Sequence, residues 1–310
     1  MSAGRLILSS GDPLVDRRID WARALMAEGE AVDAAALLAE VVERAGHYAP
    51  GWFLLGEARE AAGETVGAVD AYRQAVALDP DDTLGAGLRL ARLGNVSAAD
   101  GGMSEAYVRT LFDQYAERFD AALARLYYTG PELIDAALAE ACTALGRPYA
   151  FGRGLDLGCG TGLVAARLME HVGLLEGVDL SPNMIVLARK RGVYERAVAG
   201  EMVAFLRERP AEEVDLIFAG DAFCYLGDLG PVLTESRRVL EPGGLLAFTA
   251  ETHDGEGIML RDTLRFAHAE AYMRAALDAA GLALVSLAVQ SMRREREEAV
   301  PGLVVVAAKR

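Results

Sequence analysis

The chain has 310 residues, 52% of them hydrophobic, and a formal net charge of −15 at pH 7. That length and apolar content suit a globular protein of two modules, and the acidity argues against bulk attraction to nucleic acid or an anionic membrane. No apolar run reaches the roughly 18 residues that span a bilayer, and the start, with Arg5, lacks a signal-peptide cleavage pattern, so a cytoplasmic protein is expected.

In residues 12–97, positions match at an offset of 34: Gly29 with Gly63, Ala34 with Ala68, Leu38 with Tyr72, Val41 with Ala75. Pro50 to Pro80 carries the pattern best, with Trp52, Leu55, Gly56, Gly63, Ala68, Tyr72, Ala75 and Asp79-Pro80. Small residues at such positions let two antiparallel helices pack closely, and large ones fill the gap to the next repeat. The period and residues resemble the tetratricopeptide repeat, with Arg59 where that repeat usually has tyrosine. A looser first repeat starts near Val15, and Thr83 to Leu93 reads as a single capping helix. Residues 98–104, within a Gly-containing polar stretch, read as a linker.

The remaining residues, 105–310, read as an α/β domain. Tyr107, Leu111-Phe112, Tyr115, Phe119 and Leu123 recur at helical spacing until Tyr127-Tyr128-Thr129-Gly130-Pro131 breaks the pattern, so 105–150 is expected to be helical. From 151 the chain alternates apolar runs with helical stretches. Gly154 to Leu157 reads as a strand and Val164 to Met169 as a helix, then Leu174 to Leu180 as a strand ending at Asp179. Ser181-Pro182 starts the next helix. Arg196 to Ala199, Val214 to Ala219 and Leu245 to Ala250 are further strands, with a helix over Leu229 to Leu240 that Glu241-Pro242-Gly243-Gly244 stops. Arg265 to His268 leads into a helical register over Ala269 to Ala279, and Leu282 to Val289 with Gly302 to Ala308 forms a closing pair of strands. The charged run Met292 to Glu298 reads as a solvated loop or hairpin tip.

Between the first strand and helix stands Asp156-Leu157-Gly158-Cys159-Gly160-Thr161-Gly162. Glycines let the backbone turn sharply and approach a ligand closely. A dinucleotide fingerprint needs glycine or alanine three residues after its second glycine. That position is Leu163; the third glycine comes early, at Gly162, and no Lys or Arg stands in the loop to meet a phosphate. Asp156 suits a sulfonium or ammonium group. Asp179, roughly 20 residues on, stands where such folds hold a ribose diol, or alternatively caps the helix that follows.

G-x-G-x-G, followed by D-L-S-x-x-M and R-R-V-L-E-P-G-G-L-L-A-F, resembles the class I S-adenosylmethionine-dependent methyltransferases. The whole order resembles a bacterial group of predicted methyltransferases that carry tetratricopeptide repeats, and the catalytic domain is similar to the quinone and small-molecule branch. The resemblance implies a Rossmann-like, mostly parallel sheet of seven strands with helices on both faces and the last strand antiparallel, preceded by an all-α repeat domain. It implies S-adenosyl-L-methionine as cofactor and S-adenosyl-L-homocysteine as product. Carried onto this sequence, the cofactor contacts are Asp156, Gly158, Cys159, Gly160, Thr161, Gly162, Asp179, Leu180, Met184, Glu201, Met202, Gly220 and Tyr225. Glu201 would meet the adenine amino group, or else be a surface acid. Tyr115, Phe119 and Tyr127 would be lid contacts, or plain core.

Loops at the carboxyl ends of the strands would face the methyl acceptor. If a base is used, the candidates by position are His253, Asp221 and His268, with packing or loop roles as the alternatives for both histidines. Arg261 and Arg265 either anchor an acidic substrate or lie on a solvated helix face. Cys142, Cys159 and Cys224 have neither metal-ligand nor disulfide spacing, and Cys159 reads as a small filler. Three functions fit: a small-molecule methyltransferase whose repeats serve a partner or dimerisation, a protein methyltransferase that recruits its substrate through the repeats, or a silent cofactor-binding interaction protein. Membrane, nucleic-acid and metal partners are not expected.

Overall fold

The computed structural model describes residues 9–94, 103–295 and 298–310; residues 98–102 of the expected linker, with Arg296 and Glu297, lie outside them. The chain divides into two compact units, one through Thr110 with Asp262–Leu264, the other Leu111–Arg261 with Arg265–Arg310. The division falls at 110/111, inside a helix.

In the first unit α1 (Pro13–Glu28) pairs with α2 (Ala31–Arg44), and α3 (Ala49–Ala61) with α4 (Thr65–Leu78), before the short α5 (Ala86–Arg92). Asp12 caps α1 by accepting the Leu14 N–H, with Pro13 opening the helix. The matched glycines have one cause: Gly29 and Gly63 both take positive φ, +86° and +80°, where α1 and α3 end. The matched core pair Leu38 and Tyr72 is buried. Arg59 reaches α4 by donating to the Gly67 carbonyl at 3.1 Å.

In the second unit α6 (Glu105–Tyr115, its last turn only), a 3₁₀ turn at Ala116–Arg118, α7 (Phe119–Arg125) and α8 (Gly130–Ala144) precede the sheet. Alternation follows as expected: β1 (Phe151–Leu157), α9 (Leu163–Leu168), β2 (Val172–Asp179), α10 (Pro182–Arg191), β3 (Arg196–Ala199), α11 (Met202–Arg207), β4 (Val214–Ala219), α12 (Gly230–Val239) and β5 (Leu240–Glu251). After β5 come β6 (Ile258–Leu260), β7 (Phe266–His268), α13 (Glu270–Ala279), β8 (Leu282–Glu295) and β9 (Glu298–Lys309). The parallel order is β3-β2-β1-β4-β5. β9 enters antiparallel to β5, and β8 pairs with β9. Those are the seven expected strands.

Two short strands are additional: β7 joins the end of β5 through Glu251 and Ala267, and β6 pairs with β7. Arg265 therefore leads into a strand, not a helix. α12 ends just ahead of Glu241-Pro242-Gly243-Gly244, as expected, and that stretch is carried inside β5 as a bulge where the β4 register jumps from Leu240 to Leu245. One face of the sheet packs on α11, α12 and α13 through Leu206, Leu233 and Met273, the other on α8 and α9 through Leu138 and Leu168.

The closing hairpin is longer than its apolar part. Beyond Val289 it continues to Glu295, Met292 is fully buried, and the strand bonds outward, with Thr129 N–H on the Met292 carbonyl and Arg294 N–H on Leu126, both at 2.8 Å. The described part of the charged run is thus docked on the Leu126–Thr129 segment.

A Cβ on Gly56 would come within 2.5 Å of the Tyr72 ring. Gly56→Ala is expected to destabilise the first unit by about 1–3 kcal/mol through overpacking. Both tryptophans, Trp21 and Trp52, belong to this unit, so the Trp-fluorescence denaturation midpoint of the full chain should fall; an unchanged midpoint would show that the ring moves aside freely.

Candidate active site

The turn between β1 and α9 is built from backbone that side chains do not tolerate. Gly158, Gly160 and Gly162 all take positive φ, at +70°, +53° and +88°. A Cβ on Gly158 would stand 2.5 Å from the Ala222 methyl, and one on Gly220 would stand 2.5 Å from Val164. The carboxyl ends of β1 and β4 are therefore pressed together with only hydrogen between them. Met202 lies beside Gly158, and the Phe119 ring sits 3.5 Å from where a Gly160 Cβ would be.

Asp179 fastens this turn. Its Oδ2 accepts the Gly160 N–H at 2.8 Å and its Oδ1 the Ser181 N–H at 2.9 Å. It is not the helix cap: Ser181 caps α10 through its own Oγ on Met184 N–H. Burial, against those two hydrogen bonds, pushes the Asp179 carboxyl up to about 6. Asp156 is buried too, accepts the Tyr194 hydroxyl at 2.6 Å, and is pushed up to about 7 by burial with Asp179 nearby. Glu201 uses both carboxylate oxygens to cap α11, on Val203 N–H and Ala204 N–H at 2.8 and 2.7 Å. Met184 is fully buried on α10. Leu180 is half-buried and Cys159 is buried, its thiol pushed well up by burial.

Helical residues ahead of the sheet latch onto the same turns through two carboxylates that sequence reasoning missed. Asp113 Oδ1 accepts from Ser181 Oγ (2.6 Å) and Asn183 N–H (3.1 Å). Asp120 accepts from Thr161 Oγ1 at 2.5 Å and from Arg191 at 2.7 Å, while Arg191 Nε donates to the Thr161 carbonyl. Between them runs an aromatic chain: Tyr115 against Phe119, Phe119 against Phe112, and Phe112 against Tyr225, all edge-on at 5.2–6.5 Å. Phe119 therefore stands beside the glycine turn with Tyr115 against it, but Tyr127 is 72% exposed. Its neighbour Tyr128 turns inward instead, its hydroxyl 3.2 Å from the position of a Gly220 Cβ.

At the carboxyl ends of β4 and β5 lies a buried ion cluster. Asp221 takes φ +55° and its Oδ1 accepts from Arg265 (2.5 Å) and Arg293 (3.0 Å). Glu251, 1% exposed, meets Arg293 at 2.6 Å, Arg265 at 2.7 Å and Arg261 at 3.1 Å. Glu295 closes on Arg293 at 2.9 Å. Arg265 also stacks over the Tyr225 ring at 4.9 Å and donates to Cys224 Sγ. Arg265 and Arg293 are interior residues, which corrects both the solvated-helix alternative and the solvated-run expectation.

Each of the three candidate bases makes polar contacts, but His268 keeps Nδ1 buried without a hydrogen-bond partner. Asp221 is held by two guanidiniums. His268 is fully buried, donates Nε2–H to the Gly227 carbonyl at 2.9 Å, and is pushed down by desolvation, so it stays neutral. His253 accepts the Gly255 N–H on Nδ1 (3.1 Å) and faces the Gly257 carbonyl with Nε2 (3.3 Å), which closes its own loop. His253 and His268 lie within electrostatic reach of each other, while Asp221 is held by the two arginines.

Both Asp156 and Asp179 titrate higher folded than in an unfolded chain, whose value is near 3.8. Between about pH 4 and 7 the folded state holds the extra protons, so stability from this pair is full below that window and is lost as pH rises through 6 and 7. Asp156→Asn, which keeps an acceptor for Tyr194, is expected to flatten the slope. Urea titrations followed by circular dichroism between pH 5 and 8 check this; a slope equal to wild type would remove Asp156 from it.

Residues 155–248 match the family model "Methyltransferase domain", and residues 25–93 match "Tetratricopeptide repeat". Methyltransferase-like protein 27 of Homo sapiens is 34% identical over 164 residues, covering 51% of this chain and 63% of that protein. Malonyl-[acyl-carrier protein] O-methyltransferase of Yersinia pestis is 30% identical over 146 residues, covering 46% of this chain and 49% of that one. The chain thus spans between 49% and 63% of the length of these two relatives. Among solved structures, magnesium protoporphyrin IX methyltransferase from Synechocystis PCC 6803 with bound SAM covers 66% of this chain and 97% of that one, at 16% identity and a TM-score of 0.49. No helix among the described residues is long and apolar enough to cross a membrane. The chain carries a methyltransferase domain of the S-adenosylmethionine-dependent class, preceded by tetratricopeptide repeats.

Proposed function

We propose that the chain is an active S-adenosylmethionine-dependent methyltransferase acting on a small-molecule acceptor. The observation that carries the reading is the side-chain-free cradle at Gly158, Gly160 and Gly162, with the Asp179 carboxylate beside it. The residues present fit the cofactor. Glycine backbone leaves room for its amino-acid end, Asp179 retains lone pairs for a ribose diol beyond its two backbone bonds, and Met202, Phe119 and Tyr115 supply apolar and aromatic surface. Glu201, already capping α11, keeps acceptor capacity toward an adenine amino group in the same way.

When bound, the cofactor supplies a methyl group made electrophilic by its sulfonium. What remains for the chain is positioning and exclusion of water, and well-oriented reactants reach effective molarities of about 10⁵–10⁸ M. Asp113 and Asp120 tie the aromatic residues of the 112–119 stretch to the turns that would hold the cofactor, so cofactor seating and solvent exclusion are coupled. For the repeats the reading assigns partner binding or self-association.

S-adenosylhomocysteine is expected to raise the melting temperature by several degrees, and NAD is not. Gly158→Ala, strained by its φ of +70° and by Ala222, and Asp179→Ala should each abolish that shift. A full shift in Asp179→Ala would overturn the ribose assignment, and a shift with NAD alone would overturn the cofactor class.

A further inference from the structure

Three strands of the sheet are paired on one side only, and they are not alike. β3 is four residues long, opens with Arg196 and pairs with β2; β6 has three residues and pairs with β7. Short or charged strands are the ordinary means of blunting an edge. β8 has 14 residues and pairs with β9 alone among the described residues.

Both faces of β8 are covered near its start, with Leu284 and Leu287 packed toward α11, α12 and α13, and Val285 toward α8 and α9. Its outer edge is a different matter. Toward the hairpin end the chain covers that edge itself, through Thr129 N–H on the Met292 carbonyl and Arg294 N–H on the Leu126 carbonyl. From Ser286 to Ser291 no such bond is made among the described residues, so alternate N–H and C=O groups point outward. These six residues are also regular: their partners on β9 step evenly from Val306 to Pro301, and the register shifts lie on either side, at Leu284–Ser286 and Ser291–Arg294. In a chain of net charge −15, no charged residue stands from Leu282 to Met292. Ala288 and Gln290 are exposed, and Val289 between them is 63% exposed.

The strand that fits this edge is a second β8. Two identical strands paired antiparallel are self-complementary about a two-fold axis. With the axis at Val289, the two valines stand opposite each other, Ala288 meets Gln290, and Leu287 meets Ser291. The flanking charges agree with that direction. Exposed Arg294, at the far end of one strand, is laid toward the start of the other, where exposed Asp278 stands in the last turn of α13. Neither side chain is paired among the described residues. A parallel pair would set like charges together instead.

We infer that two copies of this chain associate by antiparallel pairing of their β8 strands over Ser286–Ser291, which joins their sheets into one. The inference needs neither the methyltransferase reading nor the repeats.

The test uses the full chain in sedimentation velocity at micromolar concentration, where a dimer is expected. Val289→Lys, which sets two ammonium groups face to face on the axis, should raise the dimer dissociation constant roughly tenfold or more with an unchanged far-UV circular dichroism spectrum. Val289→Cys reads the register directly. Opposed residues of antiparallel strands bring their Cα atoms within disulfide reach, and the native Cys142, Cys159 and Cys224 are buried. Under mild oxidation Val289→Cys should therefore form a covalent dimer much faster than Val66→Cys, whose position on the repeats is 79% exposed. A monomeric wild-type chain, a dimer that survives Val289→Lys, or crosslinking no faster at Val289→Cys than at Val66→Cys overturns the inference; if Val289→Lys does not fold, the cysteine pair decides.

Discussion

The hydrogen bond from Gly160 N–H to the Asp179 carboxylate fixes the edge of the sheet on which everything else is arranged. It ties the end of β2 to the turn after β1, and the second oxygen of the same group holds Ser181 at the start of α10. Three consecutive alternate residues in left-handed backbone would otherwise be free to relax, because nothing but glycine fills the gap to Ala222 and Tyr194. Placing one carboxylate there costs desolvation, which its upward shift records. A fold accepts such a cost where a ligand is to replace the missing water.

Above that edge, the strengths of the contacts differ in a way that bears on motion. The Asp120–Arg191 pair is 48% and 27% exposed at its side chains, the regime in which ion pairs are worth about 0–1 kcal/mol. The edge-on contacts of Phe112, Phe119, Tyr115 and Tyr225 add comparable increments on top of their burial. No single contact holds these residues shut. The carboxylates set where the segment lands, and apolar packing holds it there, so it can open for exchange without breaking the sheet.

Much of this was legible from residues alone. The glycine spacing, the 34-residue offset and the positions of the strands along the chain all rest on backbone requirements and apolar periodicity, which act locally and leave a trace in sequence, whereas the arrangement of the sheet followed from the family resemblance. The Tyr72 site is such a case, since a glycine and an aromatic ring at fixed positions imply each other. What did not show were contacts between distant positions with no periodic signature: Tyr194 on Asp156, Asp113 on Ser181, Tyr128 beside Gly220. Tyr127 and Tyr128 are adjacent, and only the φ of +53° at Tyr127 decides which of them turns inward. Pro242-Gly243-Gly244 does follow the end of α12 as expected; what did not show is that it already belongs to β5, because a bulge uses the same residues as a turn.

The charged run at the hairpin end is the most instructive departure. Alternating signs near a predicted tip ordinarily mean solvent, yet Arg293 is 2% exposed. Its burial is possible because Asp221 and Glu251 come from the ends of two neighbouring strands, so their charges converge where the sheet is already closed. Buried pairs of this sort are poor sources of net stability, since desolvation offsets most of the attraction. Their effect is geometric. With Met292 and Arg294 bonded to Thr129 and Leu126, the arginine fixes the hairpin end against the segment that carries Tyr128. The cluster therefore helps to hold the segment that places Tyr128 beside Gly220, and removing a charge from it changes the shape of that wall as well as its potential.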